Sequence, residues 1–269
     1  MKNAAPTRRV APLTEGTFNR RKSELVGGLR VRSYGAGGPL TIVLHGGPAA
    51  TGNAAPIAQE LADAFHVLEP FQRGSGGEPL SVLTHIADLH DVIAARSGGK
   101  RLVLVGESWG AMLALAYAAT HPETVGPIAL VGCGTFDVAA RAKLAATLEA
   151  RRARGENLYD FAPLETTASI DDSFDKAAHL QTWEDMKRLQ RQGVYPAAFA
   201  AITSPVLMLH GSYDPHPGRM IRDSLVPHLS DFEYREFDRC GHSPWIERFA
   251  RDNFFATLRG WLSKLCQIK

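Results

Sequence analysis

Residues 102–113, LVLVGESWGAML, constrain the chain more than any other stretch. The run Leu102 to Val105 is short, apolar and closed by glycine, which predicts a buried strand. After Gly106-Glu107-Ser108-Trp109-Gly110 comes an alanine- and leucine-rich segment, to about Thr120, which predicts a helix. A G-x-S-x-G pentapeptide between a strand and a helix predicts a very sharp turn. Positions two before and two after the serine must lack a Cβ. Such a turn holds the serine at strained backbone angles, pushes its Oγ out at the top of a sheet, and aims a helix N-terminus at whatever binds there. The pentapeptide alone is a common pattern, and it also describes an ordinary serine turn joining strand to helix.

The rest of the chain supplies the context. Residues 1–16 are rich in Pro, Arg, Thr and Ala and predict a loose arm. Patches around Thr17–Val26 and Leu29–Tyr34, separated by Gly27-Gly28, predict a hairpin. Leu40 to Leu44 is an apolar run ending abruptly in His45-Gly46-Gly47-Pro48, the pattern of a central parallel strand with a functional loop at its C-terminal end. Residues 53–65 predict a helix with Asn53 as N-cap and Pro56 in its first turn. His66–Glu69 predicts a short strand, and residues 82–96 a helix with Val82, Ile86, Leu89 and Ile93 on one face. Ile128–Val131 is the next strand. This alternation implies a mostly parallel, doubly wound α/β sheet. It stops at about residue 136. From Phe136 to Ala201 the spacing is helical throughout, with Leu144, Leu148, Tyr159 and Phe161 in one run and Leu180, Trp183, Met186 and Leu189 in another. Strand and helix then resume with Val206–Leu209, Pro217–Leu229, Phe232–Phe237 and Ile246–Leu265. The expected organisation is a core of 1–135 and 202–269 interrupted by a helical cap insertion at 136–201.

Composition narrows the function classes. A net charge of +2 is too mild to imply nucleic acid as a partner. Arg151, Arg152 and Arg154, with Arg20, Arg21 and Lys22, read as solvated basic clusters. Cys133, Cys240 and Cys266 are odd in number and show no C-x-x-C spacing, so they read as reduced thiols in a cytoplasmic chain. The N-terminus lacks the apolar run of a secretory signal, and no stretch approaches the length of a membrane span. The expected partner is a small-molecule substrate, with no nucleic acid and no membrane. Oligomeric state is unreadable.

A serine hydroxyl is a poor nucleophile near neutral pH and needs a base, which in turn needs an orienting carboxylate. The strand ends supply both. Asp214 lies in the loop leaving Val206–Leu209, and His242 in the loop leaving Phe232–Phe237. The order Ser108, Asp214, His242 puts all three at one sheet edge and identifies a catalytic triad. Asp238 competes for the acid position, but it stands on the base's own strand, four residues from His242. An acyl-transfer site also needs oxyanion donors. The backbone N–H of Trp109 is one, and the His45-Gly46-Gly47-Pro48 loop offers Gly47 first and Gly46 second. His45 and His210, at strand ends, read as structural histidines. No histidine pair shows a metal-binding spacing, so no metal is expected. Cys240, two residues before His242, reads as a small buried residue rather than a nucleophile. Trp183, Met186 and Leu189 fit either ordinary helix packing or the wall of an acyl pocket.

His45-Gly46-Gly47-Pro48, Gln72-Arg73-Gly74-Ser75-Gly76, Gly106-Glu107-Ser108-Trp109-Gly110 and ALAYAATHPETV after it resemble the α/β-hydrolase superfamily, and within it the proline iminopeptidase-like branch. The resemblance covers the core but not the insertion. It implies an α/β-hydrolase fold, a serine hydrolase needing no cofactor, and a helical cap over the site. Three departures stand against the branch. Ala49 follows H-G-G-P where the iminopeptidases have glycine, Phe71 replaces the aspartate before Q-R-G, and the insertion is shorter than their cap. That cap carries carboxylates that hold the substrate's amino end. Glu165, Asp171, Asp172 and Asp175 are candidates here, although nothing in the sequence aims them inward and a solvated acidic face explains them better. The expected activity is cleavage of a small ester, lactone or amide. The alternatives are iminopeptidase action and a non-catalytic ligand sensor on the same fold. Ser108 argues against dehalogenase and epoxide-hydrolase chemistry, which need an aspartate at the elbow.

Overall fold

The computed structural model describes residues 23–164 and 174–268. Within these, eight strands form one sheet: β1 Ser23–Val26, β2 Leu29–Tyr34, β3 Leu40–Leu44, β4 His66–Pro70, β5 Leu102–Glu107, β6 Val125–Val131, β7 Val206–Gly211 and β8 Phe232–Phe237. Their order is β1-β2-β4-β3-β5-β6-β7-β8. The β1–β2 hairpin and the β2–β4 pair are antiparallel, and every pair from β4 to β8 is parallel. The helices are α1 Ala55–Leu61, α2 Val82–Arg96, α3 Trp109–Thr120, α4 Val138–Arg154, α5 Lys176–Arg191, α6 Gly218–Leu225 and α7 Arg251–Cys266. The arm at 1–16 and the start of the hairpin, 17–22, lie outside the described residues.

Strand alternation sorts the core into two layers, because successive side chains point to opposite faces. Ile42, Leu44, Leu104, Ile128, Leu130 and Met208 pack on the face covered by α2, α3 and α6. Val43, Val103, Val105, Ala129, Val131 and Leu207 face α1 and α7. Helix α3 is buried on nearly all sides, since it lies against the sheet with α2 and the residues around Phe199 packed over it. That explains why its sequence is apolar throughout rather than amphipathic. After β3 the chain runs first to β4 on one side and then crosses to β5 on the other. The crevice at the C-terminal ends of β3 and β5 is therefore the topological switch point, where open α/β sheets bind ligands.

Sequence readings of local structure differ from what is observed at several points: Tyr159 and Phe161 lie in a loop after α4, β6 starts at Val125 rather than Ile128, and the helix expected over 217–229 is α6 followed by a 3-10 turn at Val226–His228. Asn53 does not cap α1; Ala54 holds that position without a side-chain hydrogen bond, and the Asn53 amide donates to Glu107 instead. The last helix starts at Arg251 rather than 246, because Glu247 turns inward and is fully buried. Arg151 is buried too, with its guanidinium 3.5 Å over the Tyr213 ring and Nη1 donating to Leu158 O at 2.7 Å. Between β6 and β7 lie α4 and α5, then a short 3-10 turn, Ala197–Ala201, whose Phe199 is fully buried in the core.

Candidate active site

Ser108 joins β5 to α3 with φ 53° and ψ −115°, a strained conformation for any residue but glycine. The flanking glycines are required by space. A Cβ on Gly106 would lie 2.2 Å from Gly110 O, and one on Gly110 2.3 Å from Leu44 O. The Ser108 N–H donates to Val131 O at 2.8 Å, which ties the bend to β6. Trp109 fixes the other side. Its indole N–H donates to Gln72 Oε1 at 2.7 Å, while the Gln72 backbone and side-chain N–H groups donate to His45 Nε2 at 3.0 Å and His45 O at 2.9 Å. Burial pulls the His45 pKa down to about 4, so the ring is neutral and its Nδ1–H donates to Gly46 O. His45 is thus a structural hub linking the β3 loop, the β4 loop and the elbow.

Asp214 and His242 leave β7 and β8 and meet at the same edge. His242 Nδ1 donates to Asp214 Oδ2 at 2.7 Å. Asp214 is buried and surrounded by imidazoles. His216 donates to Oδ1 from its Nδ1 at 2.8 Å and from its backbone N–H at 2.9 Å, and His210 Nε2 lies 3.3 Å from Oδ2. Burial opposes the charge, but the three histidines together hold the carboxyl well below the usual carboxylate range. For His242 burial alone would lower the pKa; the Asp214 charge and hydrogen bond outweigh it and raise the value to about 9, with Glu107 and Asp160 adding to the rise. The His216 ring stacks on His242 at 4.7 Å between centroids, tilted by 25°. Asp238, the rival acid, is exposed and pairs with Arg239. Cys240 is buried, and its thiol is pushed up by burial, away from nucleophile character.

The expected oxyanion donors do not behave alike. Among the described residues no group accepts from the Gly47 N–H, and the residue has φ +103°. Its carbonyl accepts from His179 Nδ1, on α5. Trp109 is the first residue of α3, where backbone N–H groups have no intrahelical partner. Gly46 corrects the sequence reading: its N–H donates to Glu107 Oε1 at 2.9 Å, so it is already engaged. Glu107 is buried beside the bend, and burial raises its pKa, partly offset by His242. It binds both Gly46 and Asn53 and so braces the loop that follows β3.

A cavity of about 510 Å³ opens over these groups, lined by Gly47, Glu107, Ser108, His216 and His242 from the sheet edge. Leu144 of α4, with His179 and Trp183 of α5, forms the opposite wall. Met186 is fully buried in the core and Leu189 packs against it, so of the three candidate lining residues on α5 only Trp183 reaches the cavity. Tyr159 and Asp160 join the lining from the loop after α4. That loop is held by Glu247, whose carboxylate accepts from Phe161 N at 2.6 Å, Ala162 N at 2.7 Å and Gly241 N at 2.7 Å. Of the four candidate substrate-binding carboxylates, Glu165, Asp171 and Asp172 lie outside the described residues. Asp175 caps α5 through Ala178 N and accepts from Ser75 N at 2.7 Å, so it ties the helix to the β4 loop rather than facing the cavity. Sequence reasoning singled out neither His216 nor Asp160. The only available signal for His216 was its place two residues after the acid.

A mostly parallel sheet with a serine elbow after β5, an acid after β7 and a histidine after β8 defines the α/β-hydrolase class. The match of the alpha/beta hydrolase family profile to residues 41–254 agrees, and the chain belongs to that family. Epoxide hydrolase A of Mycobacterium tuberculosis is 31% identical over 142 residues, covering 49% of this chain and 43% of the relative. Proline iminopeptidase of Neisseria gonorrhoeae is 38% identical over 104 residues, 35% of this chain and 33% of the relative. The chain thus spans less than half the length of these two relatives. A longer match is 2-hydroxymuconate semialdehyde hydrolase of Pseudomonas sp. strain CF600, 28% identical over 88% of this chain and 91% of the relative. Among solved structures, a serine hydrolase involved in carbazole degradation superposes with a TM-score of 0.70 at 21% identity, covering 91% of this chain and 98% of that one. At that identity the likeness speaks for the fold. Among the described residues no helix is long and apolar enough to cross a membrane.

Proposed function

We infer that the protein is a serine hydrolase cleaving a small ester, lactone or amide through an acyl-enzyme. The observation that carries the reading is the combination at one cavity: Ser108 at positive φ on a helix N-terminus, lining the same cavity as a histidine already paired at 2.7 Å with a buried aspartate. Ser108 Oγ attacks the carbonyl carbon as His242 Nε2 takes its proton; Asp214 holds the Nδ1–H tautomer and stabilises the imidazolium. The Gly47 and Trp109 N–H groups receive the developing oxyanion. The imidazolium then protonates the leaving group, and His242 draws a proton from water as it attacks the acyl-enzyme, releasing the acid and free serine. A cavity of about 510 Å³ suits a small substrate.

A second reading, an aminopeptidase-type amide hydrolase, is favoured by Glu107 and Asp160, two carboxylates in the cavity lining available to a substrate ammonium. The local similarity to proline iminopeptidases supports it from outside the site. Epoxide opening is disfavoured despite the similarity to an epoxide hydrolase, because the elbow carries Ser108 and no aspartate. Turnover of p-nitrophenyl acetate and butyrate against proline β-naphthylamide, in wild type and Ser108→Ala, tests both readings. Ester turnover lost in the variant supports the first. A strong preference for the proline amide supports the second. Equal background rates in both proteins would overturn hydrolase action and favour a ligand sensor on this fold.

A further inference from the structure

Asp214 carries more imidazole than an orienting carboxylate needs. A base needs one partner on the acid, and His242 takes Oδ2 for that purpose. Oδ1 is held twice by His216, once through the backbone and once through the ring. Removing that ring bond would leave the backbone bond in place, so orientation of the acid does not require a histidine at 216. What the ring adds is a third metal-type donor. One ligand atom from each of Asp214, His216 and His242 lie within 4.8 Å of one another, and both rings line the cavity. Two imidazoles at the cavity wall and the buried carboxylate that both contact form the three-ligand protein donor set used for Zn²⁺-type ions.

The distances set the strength of such a site. The two Nδ1···Oδ separations are 2.7 and 2.8 Å, set for hydrogen bonds. Tetrahedral coordination with metal–ligand bonds of about 2.0 Å separates neighbouring donors by about 3.3 Å, so each hydrogen-bonded pair must open by roughly half an ångström, and the two imidazoles, bonded to different oxygens of the carboxylate, must turn toward a shared point. Side-chain rotation at the cavity wall can supply that movement, at a cost that keeps binding weak and reversible. We propose that Asp214, His216 and His242 form an inhibitory binding site for a divalent transition-metal ion, Zn²⁺ or one of similar ligand preference, at the edge of the cavity. Coordination through Nδ1 moves the remaining proton of the His242 ring to Nε2. The ring then cannot accept the Ser108 proton, and its bond to Asp214 is replaced by bonds to the metal. The inhibitory consequence rests on the serine-hydrolase reading; the metal site itself does not.

The test uses the full chain without a histidine tag. Co²⁺ is titrated while the visible absorption of a low-coordinate cobalt centre is followed, and Zn²⁺ is then added to displace it. One Co²⁺ per chain is expected, with a dissociation constant raised at least about tenfold in both His216→Phe and His216→Asn. Phenylalanine keeps the ring stack without a donor. Asparagine keeps a donor toward Asp214, so loss of binding in both, with wild-type circular dichroism, isolates the missing ligand. His90 and His121, stacked at 4.1 Å elsewhere on the surface, supply the control. Binding that survives both His216 substitutions, or that is lost in His121→Ala instead, overturns the proposal. In parallel, Zn²⁺ is expected to slow fluorophosphonate labelling of Ser108 in wild type, reversibly with EDTA, and to do so far less in His216→Asn. A His216-dependent cobalt spectrum without any labelling would uphold the metal site and remove the hydrolase reading. Labelling without such a spectrum would do the reverse.

Discussion

The sheet edge and the helices above it are held by different forces. At the edge, Ser108, Asp214 and His242 stand on loops whose backbones are pinned by strand ladders and by glycines that touch neighbouring backbone within 2.2–2.3 Å of an added Cβ. The α5 helix buries Met186 in the core and is otherwise attached by polar side-chain bonds: Asp175 to Ser75, Gln181 to Leu80 N at 2.9 Å, Asp185 to Val82 N at 2.8 Å and Thr182 to His85 at 2.9 Å. On the serine-hydrolase reading the first arrangement would fix the reacting atoms, so its disruption should cost turnover. The second borders the cavity through His179 and Trp183, so its disruption should change what the cavity accepts. If this contrast is right, substitutions should divide into those that abolish kcat and those that move KM.

The largest expected effect is at the base. His242→Ala should lower kcat by roughly 10⁴- to 10⁶-fold with the fold intact, as judged by thermal melting. Asp214→Asn should follow at about 10⁴-fold through loss of the correct tautomer. The two differ in pH dependence. Only neutral His242 accepts a proton, and its pKa is raised to about 9, so wild-type kcat/KM should climb with pH through about 9 rather than 6.5. Removing the Asp214 charge removes the main cause of the rise, so the residual activity of Asp214→Asn should reach its plateau at lower pH. A wild-type profile already flat above pH 7 would contradict that electrostatic picture.

Glu107→Gln tests the border between the two regions. It keeps an acceptor for Gly46 N–H but removes a charge that raises the His242 value, so the acid limb should shift down while kcat at the plateau falls by no more than about 10-fold. In the second region, Trp183→Ala enlarges the cavity wall and should change KM among p-nitrophenyl esters of different acyl length by about 10-fold or less, with kcat little altered. The smallest effect is expected for Asp175→Ala. It removes an N-cap and the tie to Ser75, which should cost about 1 kcal/mol in denaturant unfolding and leave the pH profile unchanged. A large kcat loss in either of the last two would erase the distinction drawn here.

The same contrast explains what was legible in the sequence. Leu40–Leu44, Val82–Arg96 and Phe232–Phe237 have the limits their patterns predict, because buried strands and amphipathic faces follow simple periods. Ser108, Asp214 and His242 were readable for a related reason: each follows a strand within a few residues, so topology alone brings them to one edge. Long-range polar contacts leave no such trace. Asn53 sits before an apolar run, as an N-cap would, yet its partner is Glu107, far away in sequence. Glu247 falls where a helix start was expected, but its carboxylate collects three backbone N–H groups from two loops. Gly46 and Gly47 are neighbours of one type, and only the position of Glu107 separates the engaged donor from the other. His216 was one histidine among several until the fold set it on the acid.

The central claim is that Ser108 is the nucleophile of an assembled triad. Intact-mass analysis after treatment with a fluorophosphonate probe tests it most directly. One covalent adduct per chain, mapped to the peptide containing Ser108, absent in Ser108→Ala and slowed by at least about 100-fold in His242→Ala, is the predicted result. An unlabelled wild-type chain, or an adduct that persists in Ser108→Ala, would contradict it.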